Sequence, residues 1–512
     1  MSVGGLTFPD HSAIIDRMIG AWAVPILHFL VSSAAVAAAF IYLKYRAALN
    51  GFDQEIQDSP FRLWIFALHL ALFGGLLESA QKLYRSASGP NGDGWAVAFL
   101  VCAIAVFASG LSMVARARAW MRFARATGAV WGYSAVAGLA ATLTADGWRL
   151  FWRPASALTF RLVQIILRPI VGTLVVDPAT MLVGTRRFTA IVTPQCSGLE
   201  GIGLLVLFSI VWLWLYRKEC RFPQALLLLP AGVVALFLLN SVRIAALVLI
   251  GDAGARQMAI NGFHSEAGWI AFNGVALGLC VAAGRVPWFM RHETKAREQP
   301  GSVNMVAVYV GPFLAILAAG MLARALTGGF EWLYPLRLFA AGAVFWAYRR
   351  EYRAIKWRCT WRGPVIGLFV FAIWLAFEWA RAGSPQSTMP LALQTASGLH
   401  RWGWVALRTI GAAAAVPLGE ELAFRGYLMR RLVAEQLETI SPMSAPIWAI
   451  AVSSVLFGAM HGAQWIEATI AGALYALVYV RKGQLGEAVA AHAVTNSLIA
   501  ASVLGLSYWR LW

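Results

Sequence analysis

Long apolar runs separated by short polar segments repeat along the whole chain, as at 21–42, 95–114, 199–216 and 364–379. Helices of this length cross, or nearly cross, a hydrocarbon layer of about 30 Å. By this criterion we count roughly fifteen segments. A helix satisfies its backbone polar groups within one segment, and the runs lack the alternation typical of membrane barrels. The pattern therefore predicts an all-α polytopic membrane protein.

Composition and charge agree with a membrane location. Hydrophobic residues make up 60% of the 512 residues, and the mean hydropathy of +0.66 exceeds what a soluble fold needs for its core. The formal net charge of +18 would also fit a nucleic-acid partner. The basic residues, however, cluster between apolar runs, at 116–125, 217–221, 291–297 and 349–362. Because cytoplasmic loops carry such an excess, we expect these stretches inside the cell and no nucleic acid as partner.

The clearest domain boundary is the charged stretch at 291–303, which contains Pro and Gly. It interrupts the apolar pattern as a linker does, and it predicts two membrane domains, residues 1–290 and 304–512, joined in the cytoplasm. A second interruption, 175–193, contains Gly184 among β-branched residues. That stretch predicts a small β-hairpin outside the bilayer.

The first candidate site follows this hairpin, where the sequence reads Pro-Gln-Cys-Ser-Gly-Leu-Glu around Cys196. The next helix ends at the basic cluster near Arg217, so Cys196 is expected at the extracytoplasmic face. Ser197 and Glu200 form a capping-box pattern, which predicts Ser197 as the N-cap. A thiol just before a helix N-terminus is favoured as the nucleophilic thiolate.

Arg243 and His264 are expected at the same outer face. One helix runs outward from Arg221 to Arg243, and His264 opens the helix that descends to Arg291. A thiolate, a histidine that exchanges protons with the leaving amine and an arginine that stabilises an oxyanion are what acyl transfer through a thioester requires. Taken separately, these residues also fit a buried cysteine, an interface-anchoring arginine and a helix-end histidine.

The second candidate site begins with two adjacent carboxylates, Glu420 and Glu421, on a helix in or at the edge of the membrane. Carboxylates there are costly and mark functional sites. Glu421 and Arg425 are four residues apart and share a helical face, while Glu420 is turned about 100° away. We therefore expect Glu421 and Arg425 to form a supporting ion pair and Glu420 to be free for chemistry.

Three more polar residues occur in apolar surroundings: His461, His492 and Asn496, the last two on one helical face. Helix-bridging polar contacts are the structural alternative for these residues. Two histidines and Glu420 would also make a plausible zinc set, although no His-Glu-x-x-His helix is present. The five cysteines show neither disulfide nor zinc spacing. We expect no cofactor, with zinc at Glu420, His461 and His492 as the alternative.

The Cys196 segment resembles the exosortase family, whose pattern is a Pro-x-Cys-Ser-Gly cysteine, an arginine in an Asn-x-x-Arg-like segment and a histidine opening a later helix. The resemblance covers residues 20–290 approximately. It implies that Cys196, Arg243 and His264 are catalytic. It also implies a partner, an exported protein whose C-terminal signal consists of a short motif, a membrane helix and a basic tail, and cleavage or transfer at that motif.

The second set resembles the Glu-Glu-x-x-x-Arg, Phe-x-x-x-His and His-x-x-x-Asn motifs of the CAAX protease and bacteriocin-processing family, in the family's order within residues 404–508. The resemblance implies an intramembrane endopeptidase in which Glu420 and His461 activate water. His492 and Asn496 would then stabilise the oxyanion.

Together the two regions are similar to the fusion family known as exosortase E/protease, which implies a bacterial inner-membrane protein surrounded by lipid. We expect a cysteine protease or transpeptidase fused to a glutamate-dependent intramembrane endopeptidase. The competing classes are a transporter or polysaccharide export component, whose polar groups would line a path, and an inactive scaffold for sorting-signal helices. Cys196 should open outward, whereas the basic residues that follow Glu420 predict a second site toward the cytoplasm.

Thiol labelling tests the predicted topology. Of the five cysteines, Cys196 alone is expected to react readily with a membrane-impermeant thiol reagent added outside intact cells. The reason is that the others fall in helices or cytoplasmic loops. Mass spectrometry of the labelled chain measures the reaction, with Cys196→Ala as the control. Equal labelling of Cys220 would contradict the topology.

Overall fold

The computed structural model describes residues 2–3, 6–7, 14–58, 62–85, 92–147, 149–291, 303–382, 387–434 and 441–512. Within it the chain divides into two compact units, Met1–Leu150 and Phe151–Trp512. The linker predicted at 291–303 lies almost entirely outside the described residues. The domain boundary predicted there therefore stays a prediction.

The protein is mostly helical, as the apolar pattern predicts. Among the described residues, nine helical segments are long and apolar enough to cross a membrane. They are Pro25–Lys44, Leu63–Leu83, Gly94–Val114, Gln224–Asp252, Glu266–Arg285, Met305–Ala325, Arg362–Arg381, Gly462–Lys482 and Leu485–Leu506. The helical fold class is confirmed. The count of roughly fifteen spans is not, because several apolar runs form helices too short to cross a bilayer unaided.

The unit Met1–Leu150 is built from helices that pack in pairs. Its described helices are Ile14–Lys44, Arg46–Gln57, Leu63–Arg85, Gly92–Val114, Ala117–Thr127 and Val130–Gly147, and its short strands are Ser2–Val3 and Leu6–Thr7. The amphipathic helices Arg46–Gln57 and Ala117–Thr127 pack against each other through Phe52 and Phe123, whose ring centroids are 4.7 Å apart. Arg122 also pairs with Glu55 across them at 2.7 Å. All candidate site residues lie in the other unit.

The unit Phe151–Trp512 begins with four helices and a small sheet around Cys196. The helices are Arg149–Leu167, Leu199–Leu215, Leu228–Asp252 and His264–Arg285, and the strands are Val175–Asp177, Leu182–Gly184 and Thr189–Ile191. The strands pair antiparallel in chain order, with Val183 between Val176 and Ala190. The hairpin predicted at 175–193 is therefore a three-stranded sheet.

Two capped turns explain the additional strand. Asp177 accepts hydrogen bonds from the backbone N–H of Ala179 (3.0 Å) and from the hydroxyl of Thr180 (2.7 Å), which closes the first turn. In the second turn, Thr185 accepts a hydrogen bond from the backbone N–H of Phe188 at 3.1 Å. The sequence prediction included only the second turn, which Gly184 marks.

One hydrogen bond and one ring contact fix the sheet to the helix Leu228–Asp252. The hydroxyl of Thr185 donates to Asp252 Oδ1 at 2.5 Å. The buried ring of Phe188 covers Gly251, where an added Cβ would lie 2.3 Å from the ring. The sheet therefore sits directly on the C-terminal end of the helix that carries Arg243.

The rest of this unit is a helical bundle. Its helices are Met305–Ala325, Leu336–Ala347, Arg349–Ala354, Arg362–Ala382, Leu391–Thr395, Gly398–Ile410, Val416–Glu421, Met429–Val433, Ile447–Ala459, Trp465–Lys482 and Leu485–Leu506. The π-helical segments Gly411–Ala415 and Leu422–Leu428 join three of these helices into one continuous helix, residues 398–433, which we call the glutamate helix. Arg324 pairs with Glu266 at 2.7 Å and so ties this bundle to the helix that begins at His264.

Gly251→Ala tests the contact between sheet and helix. The added methyl group would overlap the Phe188 ring, so we expect overpacking to lower the free energy of unfolding by about 1–3 kcal/mol. Gly278→Ala is the matched control, because an added Cβ there meets no atom within 4 Å. Thermal unfolding of the full chain in detergent measures both. An unchanged midpoint for Gly251→Ala would contradict the contact.

Candidate active sites

Cys196 lies in a short turn between the sheet and an apolar helix. Residues Pro194–Ser197 form a 3-10 helix, Gly198 follows with φ of 78°, and the helix Leu199–Leu215 begins next. The prediction that Ser197 is the N-cap is wrong, because Gly198 occupies that position and the buried Ser197 belongs to the preceding turn. The chain leaves the turn through the left-handed region, which glycine adopts without strain.

Asn240 holds this turn against the helix Leu228–Asp252. Its Nδ2 donates to the carbonyl oxygen of Cys196 at 2.8 Å, and an added Cβ at Gly198 would lie 2.9 Å from its Cγ. The Thr193 hydroxyl donates to Cys196 Sγ at 3.4 Å. The sequence analysis assigned neither contact. For Asn240, the available signal was its place in the Asn-x-x-Arg segment.

Arg243 extends from the same helix toward Cys196 and His264. Its guanidinium lies within electrostatic range of the Cys196 thiol, and Nη1 donates a long hydrogen bond of 3.5 Å to the carbonyl oxygen of His264. Gly268 leaves room for this approach, since an added Cβ would lie 2.8 Å from Nη1. The structure thus brings the three predicted residues to one region.

A cavity of about 200 Å³ opens beside Arg243, and its walls include Glu200 and Trp269. Much of the surface of the His264 side chain is exposed, yet the protein atoms around it remove part of the water near its ring. This desolvation, followed by the positive charge of Arg243, lowers the pKa of His264 below its ordinary value. The ring is therefore neutral near pH 7 and able to accept a proton.

In the second site, Glu420 and Glu421 stand at the end of the segment Val416–Glu421, with a π-helical segment on each side. A π-helical turn changes the direction in which the following side chains point, and such turns are frequent at functional sites. Glu420 lines a cavity, whereas the side chain of Glu421 is fully buried. Two neighbouring carboxylates thus have different surroundings.

Glu421 and Arg425 form the ion pair that their four-residue spacing predicts. Neither side chain is exposed, and Arg425 Nη1 donates to Glu421 Oε1 at 3.1 Å. Arg425 Nη2 donates to the carbonyl oxygen of Gly472 at 2.8 Å. His492 Nδ1 donates to Glu421 Oε1 at 2.9 Å. The pair therefore joins three helices and orients His492 with its Nε2 toward the cavity.

Glu420, His461, His492 and Asn496 line one cavity of about 210 Å³. Glu420 Oε2 is buried and has no hydrogen-bond partner within the described part of the chain. It lies 3.9 Å from His492 Nε2. A carboxylate oxygen in this position is available to take a proton from a water molecule in the cavity.

Hydrogen bonds and ring contacts orient the other cavity residues. His461 Nδ1 donates to the carbonyl oxygen one turn earlier at 2.8 Å, which leaves its Nε2 for the cavity. Asn496 Nδ2 donates one hydrogen bond to the carbonyl oxygen of Ala412 at 2.8 Å. Tyr475 stacks on His492 with ring centroids 4.9 Å apart. The sequence analysis missed Tyr475, because nothing in the sequence alone distinguishes it from other tyrosines on apolar helices.

Across the described residues, no group of three His, Cys, Asp or Glu side chains is arranged to hold a metal ion. In the second cavity, both histidines use Nδ1 as a donor within the protein. This leaves the Nε2 atom of each histidine for the cavity, and the zinc alternative of Glu420 with His461 and His492 stays a prediction.

Comparison with known families gives two matches, one for each site. Residues 28–282, which include Cys196, Arg243 and His264, match the transmembrane exosortases of the EpsH type. Residues 402–498 match the type II CAAX prenyl endopeptidase Rce1-like family. This range includes the cavity residues Glu420, His461, His492 and Asn496. The chain carries an exosortase region followed by an Rce1-like CAAX protease region. Neither the curated proteins nor the solved structures gave a match.

The order of the two regions agrees with the fusion that the sequence motifs resemble. Both families imply peptidase activity, and the apolar helices make the chain a multi-pass membrane protein. The two family matches therefore support a membrane protease.

Arg425→Met tests the buried ion pair. Removing the guanidinium leaves the Glu421 carboxylate buried without its partner, which costs about 3–5 kcal/mol. We expect a lower unfolding midpoint in detergent and loss of activity at the Glu420 site, because His492 is held by the same carboxylate.

The control is the double variant Glu421→Gln with Arg425→Met, which removes both charges and should recover part of the stability. If Arg425→Met unfolds at the same temperature as the unchanged chain, the pair does not stabilise the site.

Proposed function

We propose that the chain is a membrane peptidase with two reaction centres. The first is a cysteine peptidase or transpeptidase at Cys196, and the second is a glutamate-dependent intramembrane endopeptidase at Glu420. The observation that carries the proposal is the convergence of Glu420 with His461, His492 and Asn496 on one cavity in the region that matches a peptidase family. The grouping of three reactive side chains in the exosortase region supports the first centre.

At the first centre, His264 accepts the thiol proton and Cys196 Sγ attacks the carbonyl carbon of the scissile peptide bond. Arg243 stabilises the negative charge on the carbonyl oxygen. The C–N bond breaks as His264 gives its proton to the leaving amine, and a thioester remains on Cys196. Water or an acceptor amine then takes the acyl group and restores the thiol.

At the second centre, Glu420 takes a proton from a water molecule positioned by His461, and the hydroxide attacks the scissile carbonyl carbon. The remaining amide hydrogen of Asn496 and the His492 side chain, which Glu421 orients, stabilise the oxyanion. Glu420 returns the proton to the leaving amine as the C–N bond breaks. The products are a new carboxyl group and a new amine.

The substrate proposed for the first centre is an exported protein that ends in a short motif, a membrane helix and a basic tail. Cys196 lies just before the helix Leu199–Leu215. A substrate motif that lies just before a membrane helix would therefore be at the same depth as Cys196. The cavity beside Arg243 has apolar walls that include Trp269 and Phe272, together with the carboxylate of Glu200. These features support a site that receives an extended segment at the end of a membrane helix.

We propose that the Cys196 centre opens on the extracytoplasmic side, as the positive-inside rule indicates. The inward opening predicted for the Glu420 centre stays a prediction, and two contacts argue for another arrangement. Arg324 pairs with Glu266 near the start of the helix His264–Arg285. Tyr334, which lies ten residues after Arg324, lines the Glu420 cavity. These contacts support a second cavity that extends toward the same end of the bundle as the first.

Co-expression with a tagged exported protein that carries the three-part signal tests the proposal. We expect the unchanged chain and Glu420→Ala to shorten the tagged protein at the motif, and Cys196→Ala to leave it full length. Cys220→Ala is the matched control, because buried Cys220 contacts Met290 rather than either site. Gel mobility and mass of the tagged protein measure the result.

A transporter or an inactive scaffold would leave the tagged protein full length with every variant. Continued shortening by Cys196→Ala would show that Cys196 is not the nucleophile.

A further inference from the structure

A third cavity, of about 300 Å³, lies outside both candidate sites. It opens between the start of the helix Arg362–Ala382 and the end of the helix Trp465–Lys482. Both helices are long and apolar enough to cross a membrane. The walls of the cavity include the apolar side chains of Val365, Leu474 and Leu477. Neither proposed reaction uses these residues.

Three basic side chains line this cavity at the same end of the two helices. Arg362 begins one helix, and Arg481 and Lys482 lie in the last turn of the other. All three residues are exposed, and within the described part of the chain none of them forms an ion pair. Their charges are therefore available to a ligand. We call the cavity with these three cations the basic groove.

One carboxylate, that of Glu487, also lines the basic groove, but it is already engaged. Its Oε1 accepts hydrogen bonds from the backbone N–H of Thr360 (3.0 Å) and from the hydroxyl of Thr360 (2.7 Å). Its Oε2 accepts from the backbone N–H of Gly363 at 3.0 Å, which caps the start of the helix. Three cations thus face one committed carboxylate. The resulting positive charge favours an anionic ligand.

The surface that leads away from the three cations is apolar on both helices. Leu474, Leu477 and Arg481 share one helical face, because their spacings are three and four residues. On the neighbouring helix, Val365 and Phe369 lie one turn apart and are 50% and 55% exposed. A ligand that fills the basic groove must therefore be anionic at one end and apolar along the rest of its length.

Trp361 indicates the depth at which the charged end of the groove lies. This residue is 71% exposed, and its ring centroid is 6.0 Å from the guanidinium carbon of Arg362. Tryptophan is enriched where the lipid headgroups meet the hydrocarbon layer. Basic pockets between membrane helices bind the headgroups of anionic lipids. Soluble phosphate has the same charge but would leave the apolar walls uncovered.

We propose that the basic groove binds an anionic phospholipid. Arg362, Arg481 and Lys482 contact the headgroup phosphate, and one acyl chain lies against Val365 and Leu477. The two guanidinium groups donate paired hydrogen bonds to phosphate oxygens, while the lysine contributes a point charge. The proposal does not depend on the reactions proposed for the two centres.

The lipid would also connect to the second site through the buried Glu487. This residue lies in the first turn of the helix Leu485–Leu506, which carries two residues of that site. Its carboxylate caps the helix that begins at Arg362. A lipid that bridges Arg362 and Arg481 therefore secures the ends of three helices in this bundle.

Native mass spectrometry of the full chain in detergent tests the proposal. The probes are dioleoylphosphatidylglycerol, which is anionic, and dioleoylphosphatidylcholine, which carries no net charge. We expect the first phosphatidylglycerol molecule to bind roughly 10-fold more tightly, as for a hydrogen bond to a charged group. Equal affinity of the unchanged chain for the two lipids would overturn the proposal, and this comparison needs no variant to fold.

A triple variant tests whether the three cations carry the preference. It combines Arg362→Gln, Arg481→Gln and Lys482→Gln, which removes the charges and keeps the apolar walls. We expect it to bind the two lipids with equal affinity. A preference that persists in this variant would contradict the assignment of the site.

The matched control removes the same number of charges from the neighbouring basic stretch. It combines Arg349→Gln, Arg350→Gln and Arg353→Gln, and none of these residues lines the groove. This control should keep the preference, whereas an equal loss in both triple variants would show general surface attraction and overturn the proposal. Glycerol 1-phosphate, which lacks acyl chains, should not displace the lipid at equal concentration. Displacement would identify a site for soluble phosphate instead.

Discussion

The second site depends on one buried electrostatic constraint, the contact of the Glu421 carboxylate with Arg425 and His492. Further hydrogen bonds to its members stabilise a charged pair that has no solvent exposure. Here the carbonyl oxygen of Gly472 accepts from Arg425, and His492 donates to the carboxylate, whereas Glu421 Oε2 and Arg425 Nε have no hydrogen-bond partner among the described residues. The pair thereby fixes three helices relative to one another. Because Glu421 is committed to this structural role, its neighbour Glu420 can face the cavity.

In the first site, a side-chain amide rather than a buried ion pair holds the polar groups in place near lipid. Its turn is not held by an ion pair but by Asn240, whose side chain supports the Cys196 carbonyl. Arg243 remains only partly satisfied, with a buried Nε and one long hydrogen bond. Incomplete satisfaction of a partly buried guanidinium is costly, and it becomes favourable when an oxyanion develops beside it.

Features with a fixed local spacing could be predicted from the sequence, and features that depend on tertiary contacts could not. The spacing of Glu421 and Arg425 predicts their ion pair, and the apolar runs predict the helical class. The cap at Ser197 was wrong, because the capping-box pattern does not encode the left-handed turn that Gly198 makes against Asn240. The stacking of Tyr475 on His492 could not be foreseen, since it depends on the contact between two helices.

Our central proposal is that one chain holds two separate reaction centres. The most direct test is the intact mass of the purified Glu420→Ala chain after reaction with a peptide carrying the three-part sorting signal. We predict a covalent acyl adduct that maps to Cys196 and is released by hydroxylamine, as a thioester is. A stably folded Glu420→Ala chain that forms no such adduct, while the unchanged chain does, would show that the two sites act as one and would contradict the proposal.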